Sequence, residues 1–230
     1  MALKDDLSRE VGGIVGQVWR ERNGQVVPTD QSITLANDAV QLEATVLYAD
    51  LSDSTKLVDG YQPWFAAEIY KAFLRCASRI IRANNGQIIA FDGDRVMAIF
   101  IGNSKNTTAA LVGLQINWCC KNIIQPAINA RYPQSGYIIR HTVGIDTSLL
   151  FAAKAGIRGS NDLVWIGRAA NYAAKLCEES HDYPTWITAA VYDQLGSKAL
   201  AWQGNNMWKG WNWNRMGGQQ VYSSNWTWVV

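Results

Sequence analysis

The sharpest hydrophobic pattern is Ala44-Thr-Val-Leu-Tyr-Ala49, a run of β-forming residues that stops abruptly at the polar stretch Asp50-Leu-Ser-Asp-Ser-Thr55. It predicts a buried strand feeding a polar turn. Pro63 then opens a segment to about residue 84 in which Trp64, Ala67, Tyr70, Phe73, Ala77 and Ile80 recur at helical spacing, with Asn85-Gly86 as its stop. Two short β-type runs follow, 87–91 and 96–101, separated by Asp92-Gly93-Asp94-Arg95, which has the chemistry of a hairpin turn. Residues 105–129 read as helix, 137–153 as two strands around Gly144-Ile145-Asp146, and 163–166 as a further strand. A third helix is predicted from Arg168 to Glu179, with Ala169, Ala173 and Leu176 as its apolar stripe. Alternating helices and strands, with hairpins among them, predict an α+β fold with helices packed on a sheet.

Outside this core the patterning weakens. Residues 1–42 are polar, carry Gly12, Gly13, Gly16, Gly24 and Pro28, and read as an N-terminal arm with short helices. From residue 201 the tail gathers Trp202, Trp208, Trp211, Trp213, Trp226 and Trp228 among Asn, Gly and Gln, with alternation at 211/213 and 226/228. A terminal hairpin packing on the domain is the expectation, because only Lys209 and Arg215 accompany these rings. The expected organisation is therefore an arm over 1–42, a domain over 43–200 and a Trp-rich hairpin over 201–230.

Composition narrows the function. Twenty-one Lys+Arg against 19 Asp+Glu leave a net charge of +2, too small for a general binder of nucleic acid or of membrane surfaces. With 48% hydrophobic and 17% charged residues, the chain is expected to pack a core. No apolar run approaches the length of a spanning helix, and the charged start lacks the apolar stretch of a signal peptide, so a cytoplasmic location is expected. Cys76, Cys119, Cys120 and Cys177 show no CxxC or Cys/His spacing and are expected to be free thiols.

Two carboxylates carry the candidate chemistry. Asp50 ends a buried apolar strand, where an ionised carboxylate is costly without a cation. Asp94 sits in a hairpin turn that antiparallel pairing can bring beside that strand end. Placed together, the two repel unless a divalent cation, Mg²⁺ or Mn²⁺, lies between them. Taken singly, each aspartate also reads as an ordinary turn former or helix N-cap.

The stretch Ala49-Asp-Leu-Ser-Asp-Ser-Thr-Lys-Leu57 resembles the first metal motif of the class III nucleotidyl cyclases, Asp-[Ile/Leu]-x-Gly-[Ser/Phe]-Thr. Phe91-Asp-Gly-Asp-Arg-Val-Met-Ala-Ile-Phe100 resembles the same family's Gly-Asp-x-x-[Met/Leu]-Ala hairpin, and Val164-Trp-Ile-Gly-Arg-Ala-Ala-Asn-Tyr-Ala-Ala-Lys-Leu176 its Gly-x-x-Val-Asn-x-Ala-x-Arg-Leu helix. The three motifs fall in the family's order over roughly residues 43–200. The resemblance implies a palm-type, ferredoxin-like cyclase homology domain. It implies two divalent cations, Mn²⁺ or Mg²⁺, held by Asp50, Asp94 and the Leu51 carbonyl, with Ser52, Asp53, Ser54 and Thr55 cradling the β- and γ-phosphates. It implies that Asn171 orients the ribose and that Lys175 stands where the family has a transition-state arginine, so the positive charge is kept but the bidentate fork is lost. It further implies a homodimer in which these residues reach the metal site of the other subunit.

Base recognition departs from the family's purine pattern. Its two reader positions fall at Ala90 and Val164, neither of which offers a side-chain hydrogen bond. Tyr48, two residues before Asp50, and Arg95, next to Asp94, are the candidate replacements: a ring that shrinks the pocket and a donor that suits pyrimidine carbonyl oxygens. In this the chain resembles the pyrimidine cyclases of bacterial Pycsar anti-phage systems, which implies cyclic UMP or cyclic CMP as product, UTP favoured over CTP, and a separate effector that reads it. An adenylate or guanylate cyclase with an atypical base pocket and a catalytically dead, cyclase-like dimerisation module are the competing expectations.

Overall fold

The computed structural model describes residues 2–230 and divides them into two compact units, one of the segments up to Glu43 and Leu149–Gly167, the other of Ala44–Ser148 and Arg168–Val230. The first unit opens with α1 (Leu3–Gly16), whose residues are all accessible, Leu7, Val11 and Ile14 among them. Next, β1 (Arg20–Asn23) runs parallel to the start of β2 (Asp38–Leu51). Asp38 is buried there because Arg22 pairs with it and the Thr34 N–H donates to it at 2.8 Å; the Thr34 hydrogen bond leads in holding its carboxyl below the usual range. Residues 151–157 at the end of β5 (His141–Ile157) pair with β6 (Ser160–Ile166), and Ile33, Val40 and Ala152 form the unit's small core.

In the second unit β2 is followed by α2 (Ser54–Gly60), α3 (Pro63–Ala83), β3 (Gln87–Asp92), β4 (Arg95–Phe100) and α4 (Lys105–Cys119). A π-helical stretch, Cys120–Ile124, joins α4 to α5 (Gln125–Arg131). After β5 come α6 (Arg168–Leu176), β7 (Thr185–Thr188), the short helices α7 (Ala189–Tyr192) and α8 (Ser197–Leu200), the small pair β8 (Ala201–Trp202) and β9 (Asn205–Asn206), and the hairpin β10 (Lys209–Trp213) and β11 (Gln219–Ser224). The strands lie in the order β10-β11-β7-β5-β2-β4-β3, mixed and mostly antiparallel, as the α+β expectation requires. Strand β2 is central and buried along almost its whole length, which is why its stretch from Ala44 to Ala49 is apolar apart from Thr45. Helices α3 and α4 cover the sheet through Ile69, Phe73, Ile81, Leu114 and Ile116 against Leu47 and Ile145.

Three expectations need correction. Residues 137–153 are not two strands: β5 runs unbroken through Gly144, Ile145 and Asp146. Gly144 serves close approach rather than a turn, since a Cβ there would lie 2.1 Å from the Ala173 carbonyl oxygen of α6. The helix expected to reach Glu179 ends as α-helix at Leu176 and continues as tighter turns, with the Cys177, Glu178 and Glu179 N–H groups donating three residues back. In the tail, Trp211 and Trp213 lie on β10, which forms a hairpin with β11, but Trp226 and Trp228 are not in a strand. They run along α4 instead, where Asn117 Nδ2 donates to the Asn225 and Trp226 carbonyls and the Trp228 N–H donates to Leu114 O. The four cysteines are free thiols. No helix among the described residues is long and apolar enough to cross a membrane.

Candidate active site

The two aspartates meet because of strand register. Ala49 pairs with Val96, so the end of β2 lies against the start of β4, and the Asp92–Arg95 pair closes the β3–β4 hairpin around Gly93 and Asp94. Gly93 takes φ +59° in this two-residue loop, a backbone conformation that favours glycine. Burial pushes the Asp50 carboxyl up to about 6, the charge of Asp94 adds to the shift, and Arg95 only partly opposes it. Asp94 Oδ2 is buried and has no hydrogen-bond partner. Two crowded carboxylates, one reluctant to ionise and one with an orphaned oxygen, fit a divalent cation. Among the described residues no group of three or more His, Cys, Asp or Glu gathers. Ligation by two carboxylates would leave coordination positions for water and other oxygens, the pattern magnesium favours.

Tyr48, Arg95 and Ala90 belong to the same neighbourhood. Tyr48 and Ala90 are both register partners of Met97, so the three residues form a row across β2, β4 and β3. Tyr48 Oη donates to Met97 Sδ at 3.1 Å, and the Arg95 guanidinium stands 5.3 Å from the centre of the Tyr48 ring. Arg95 Nη2 donates to Asp92 at 3.0 Å, while its buried Nε has no partner. Val164 lies on β6 in the other unit, half in solvent.

The polar turn behaves differently from a simple phosphate cradle. The Ser52 N–H already donates to the Arg140 carbonyl at 3.0 Å and its Oγ pairs with Thr142 Oγ1, so Ser52 has no free N–H to offer. Asp53 adopts a left-handed conformation, φ 61°, and its carboxylate is taken by Lys56 at 2.8 Å and Arg140 at 3.4 Å. The N–H groups of Ser54 and Thr55, in the first turn of α2, have no carbonyl behind them within the helix. Ser52, Asp53, Lys56, Tyr137 and Arg140 line a cavity of about 220 Å³.

Asn171 and Lys175 lie on the exposed face of α6, held one turn apart, while Ala169, Ala170, Ala173 and Leu176 fix the helix to the sheet. Lys175 Nζ approaches Met216 Sδ at 3.5 Å, and among the described residues no hydrogen bond or ion pair joins either residue to Asp50 or Asp94.

Two neighbours were not legible as site residues. Tyr70 on α3, read as part of an apolar stripe, feels both Asp94 and Asp50; burial first and then these charges hold its phenol above the usual range. Arg140, just before β5, carries the cation beside the turn. Its only sequence signal was a basic residue at a strand start.

No family profile matches the chain. A uridylate cyclase of Burkholderia cepacia is 51% identical over 232 residues and one of Xanthomonas perforans 48% identical over 231, each match covering 100% of both proteins. The chain belongs to the uridylate cyclase family. A third relative of this cyclase, the uridylate cyclase of Rhodovulum sp., is 39% identical over 84% of the chain and 82% of its own length. In fold, the cyclase matches a bacterial light-regulated adenylyl cyclase (TM-score 0.71, 20% identity, 85% of this chain and 56% of that one) and the adenylyl cyclase CyaB from P. aeruginosa (0.66, 20%, 81% and 95%). The cyclase homology fold read from the three motifs is thus the observed one, and the chain is a class III nucleotide cyclase, a lyase.

Proposed function

We propose that this cyclase converts UTP to 3′,5′-cyclic UMP and pyrophosphate. The observation that carries the reading is the Tyr48–Arg95 pair beside Asp50: a ring narrows the pocket and the partly exposed Arg95 guanidinium can donate to a pyrimidine carbonyl, where Ala90 offers nothing to a purine edge. The names of the full-length relatives support the same base. Asp50, Asp94 and the Leu51 carbonyl would hold two divalent cations, Mn²⁺ or Mg²⁺, which when bound acidify the ribose 3′-hydroxyl and neutralise the triphosphate. Ser54 and Thr55 N–H groups, with Arg140, bind the phosphates. Ser52 and Asp53 shape that turn, their side chains being taken up by Thr142, Lys56 and Arg140.

Asn171 and Lys175 are exposed on α6 and make no hydrogen bond or ion pair with Asp50 or Asp94 among the described residues. In our reading they serve those of a second copy, Asn171 orienting the ribose and Lys175 meeting charge at the α-phosphate, so that a homodimer carries two composite sites. Val164 has no assigned contact with the base. The product would act in the cytoplasm on a separate effector in anti-phage defence, without nucleic acid or membrane as partner.

Incubating the protein with Mn²⁺ and UTP, CTP, ATP or GTP separately, with products identified by mass, tests the base. Cyclic UMP as main product is expected. Mainly cyclic CMP, cyclic AMP or cyclic GMP overturns the assignment, as does the absence of product from a dimeric sample. Mixing Asp50→Ala and Asn171→Ala chains should restore one working site per heterodimer. No recovery in verified heterodimers would refute the composite site.

A further inference from the structure

The hydrogen-bonding end of Tyr48 is committed within the chain. Its Oη donates to Met97 Sδ at 3.1 Å, although Tyr48 is only half-buried. A thioether is a weak acceptor, so the placement of the two side chains, rather than the strength of the bond, decides this pairing. Strand register supplies the placement. Tyr48 on β2 and Ala90 on β3 are both register partners of Met97 on β4. The pairing of β3 with β4 shifts between Ile88 and Ala90, where β3 advances two residues against one on β4. An unshifted ladder would set Ile89 beside Met97; the shift sets the smaller Ala90 there.

Met97 does not serve the main core. Its chain neighbours Val96 and Ala98 pack in the core that α3 and α4 cover, so alternation turns Met97, 5% exposed, to the opposite face of the sheet, with Tyr48 and Ala90. Two residues further along the three strands, on this same face, stand Asp50, Arg95 and Asp92. The Arg95 guanidinium lies 5.3 Å from the centre of the Tyr48 ring, and its Nη2 donates to Asp92 at 3.0 Å. The ring is thus held at its hydroxyl by sulfur and over its face by a cation.

We propose that Met97 is a positioning residue for base selection: by accepting the Tyr48 hydroxyl it fixes the ring as a wall of the base pocket and keeps that hydroxyl from donating to a base, so that Arg95, held over the ring, is the donor a pyrimidine meets. The inference rests on the base reading proposed above, and it adds a residue that touches no substrate. Loosening the sulfur contact frees the ring to swing, which admits a larger base and shifts the guanidinium that the ring supports.

Steady-state kinetics of the full-length protein with Mn²⁺ and either UTP or ATP test this. Met97→Leu keeps the volume and removes the acceptor, while Tyr48→Phe keeps the ring and removes the donor, with circular dichroism confirming the fold of each. Each should raise the UTP KM by about threefold or more with kcat changed by less than about twofold, and lower the ratio of kcat/KM for UTP over ATP by about fivefold or more. The double variant should lose no more selectivity than Tyr48→Phe alone, because both substitutions delete the same bond. A methionine that served only packing would give losses that add. Unchanged KM and selectivity in Met97→Leu, additive effects in the double variant, or a fall in kcat at constant KM would each overturn the role of Met97, and with a wild type selective for UTP the base reading would stand without it. A wild type that prefers ATP would overturn the base reading itself and this inference with it.

Discussion

The same sheet buries carboxylates in two ways. Asp146, fully buried on β5, is surrounded by donors from its own chain: Arg168 Nε at 3.0 Å and Nη2 at 3.3 Å, and the Thr188 hydroxyl. Asp50 and Asp94, at the strand ends, are served more thinly: Asp50 accepts a backbone hydrogen bond from Leu51, yet burial still pushes its carboxyl up to about 6, and Asp94 keeps a buried oxygen without a partner. A charge that serves the fold has its partners built in. A charge that serves chemistry leaves its lone pairs for a ligand, at a cost to the unliganded protein.

The largest expected effect separates the two on activity. Asp94→Ala should reduce cyclase turnover by roughly a thousandfold or more, about 4 kcal/mol in transition-state terms, with an unchanged circular dichroism spectrum. Retained turnover would place the chemistry elsewhere.

The next effect falls on stability. Arg168→Ala strands Asp146 in the core and should cost about 3 kcal/mol in urea unfolding. A loss below about 0.5 kcal/mol would show that Asp146 does not need its arginine and would dissolve the contrast.

The smallest effect has the opposite sign. Asp50 in the folded protein titrates near 6 against an ordinary 3.8, so the raised value favours folding below about pH 3.8 and that contribution is lost as pH rises through 6. In the absence of cation at pH 8, Asp50→Asn should therefore stabilise the protein. After discounting for the partial exposure of the group, the gain is about 1–2 kcal/mol, shrinking towards zero at pH 4. Destabilisation at pH 8 would mean that Asp50 is satisfied within the fold after all.

Much of this was legible in the sequence because it rests on local signals. The apolar run before Asp50, the Asp92-Gly93-Asp94-Arg95 turn and the stripe of α6 each predict their element and place the carboxylates together. The unbroken course of β5 was not legible, since Gly144 and Asp146 look like turn residues until α6 packs on one and Arg168 pairs with the other. Arg140 and Tyr70 were missed for a related reason: their place beside the site depends on tertiary neighbours, not on their own spacing. The commitment of the Ser52 N–H to Arg140 O is likewise a contact between distant segments.

The central claim is that Asp50 and Asp94 are crowded together and under-partnered so that they can take a divalent cation. The most direct test is the thermal midpoint at pH 8, with and without Mn²⁺ in the presence of a non-reactive UTP analogue, for the wild type and Asp50→Asn. The account predicts that Mn²⁺ raises the midpoint of the wild type by several degrees and leaves that of Asp50→Asn nearly unmoved. Equal shifts in the two proteins, or no shift in the wild type, would contradict it.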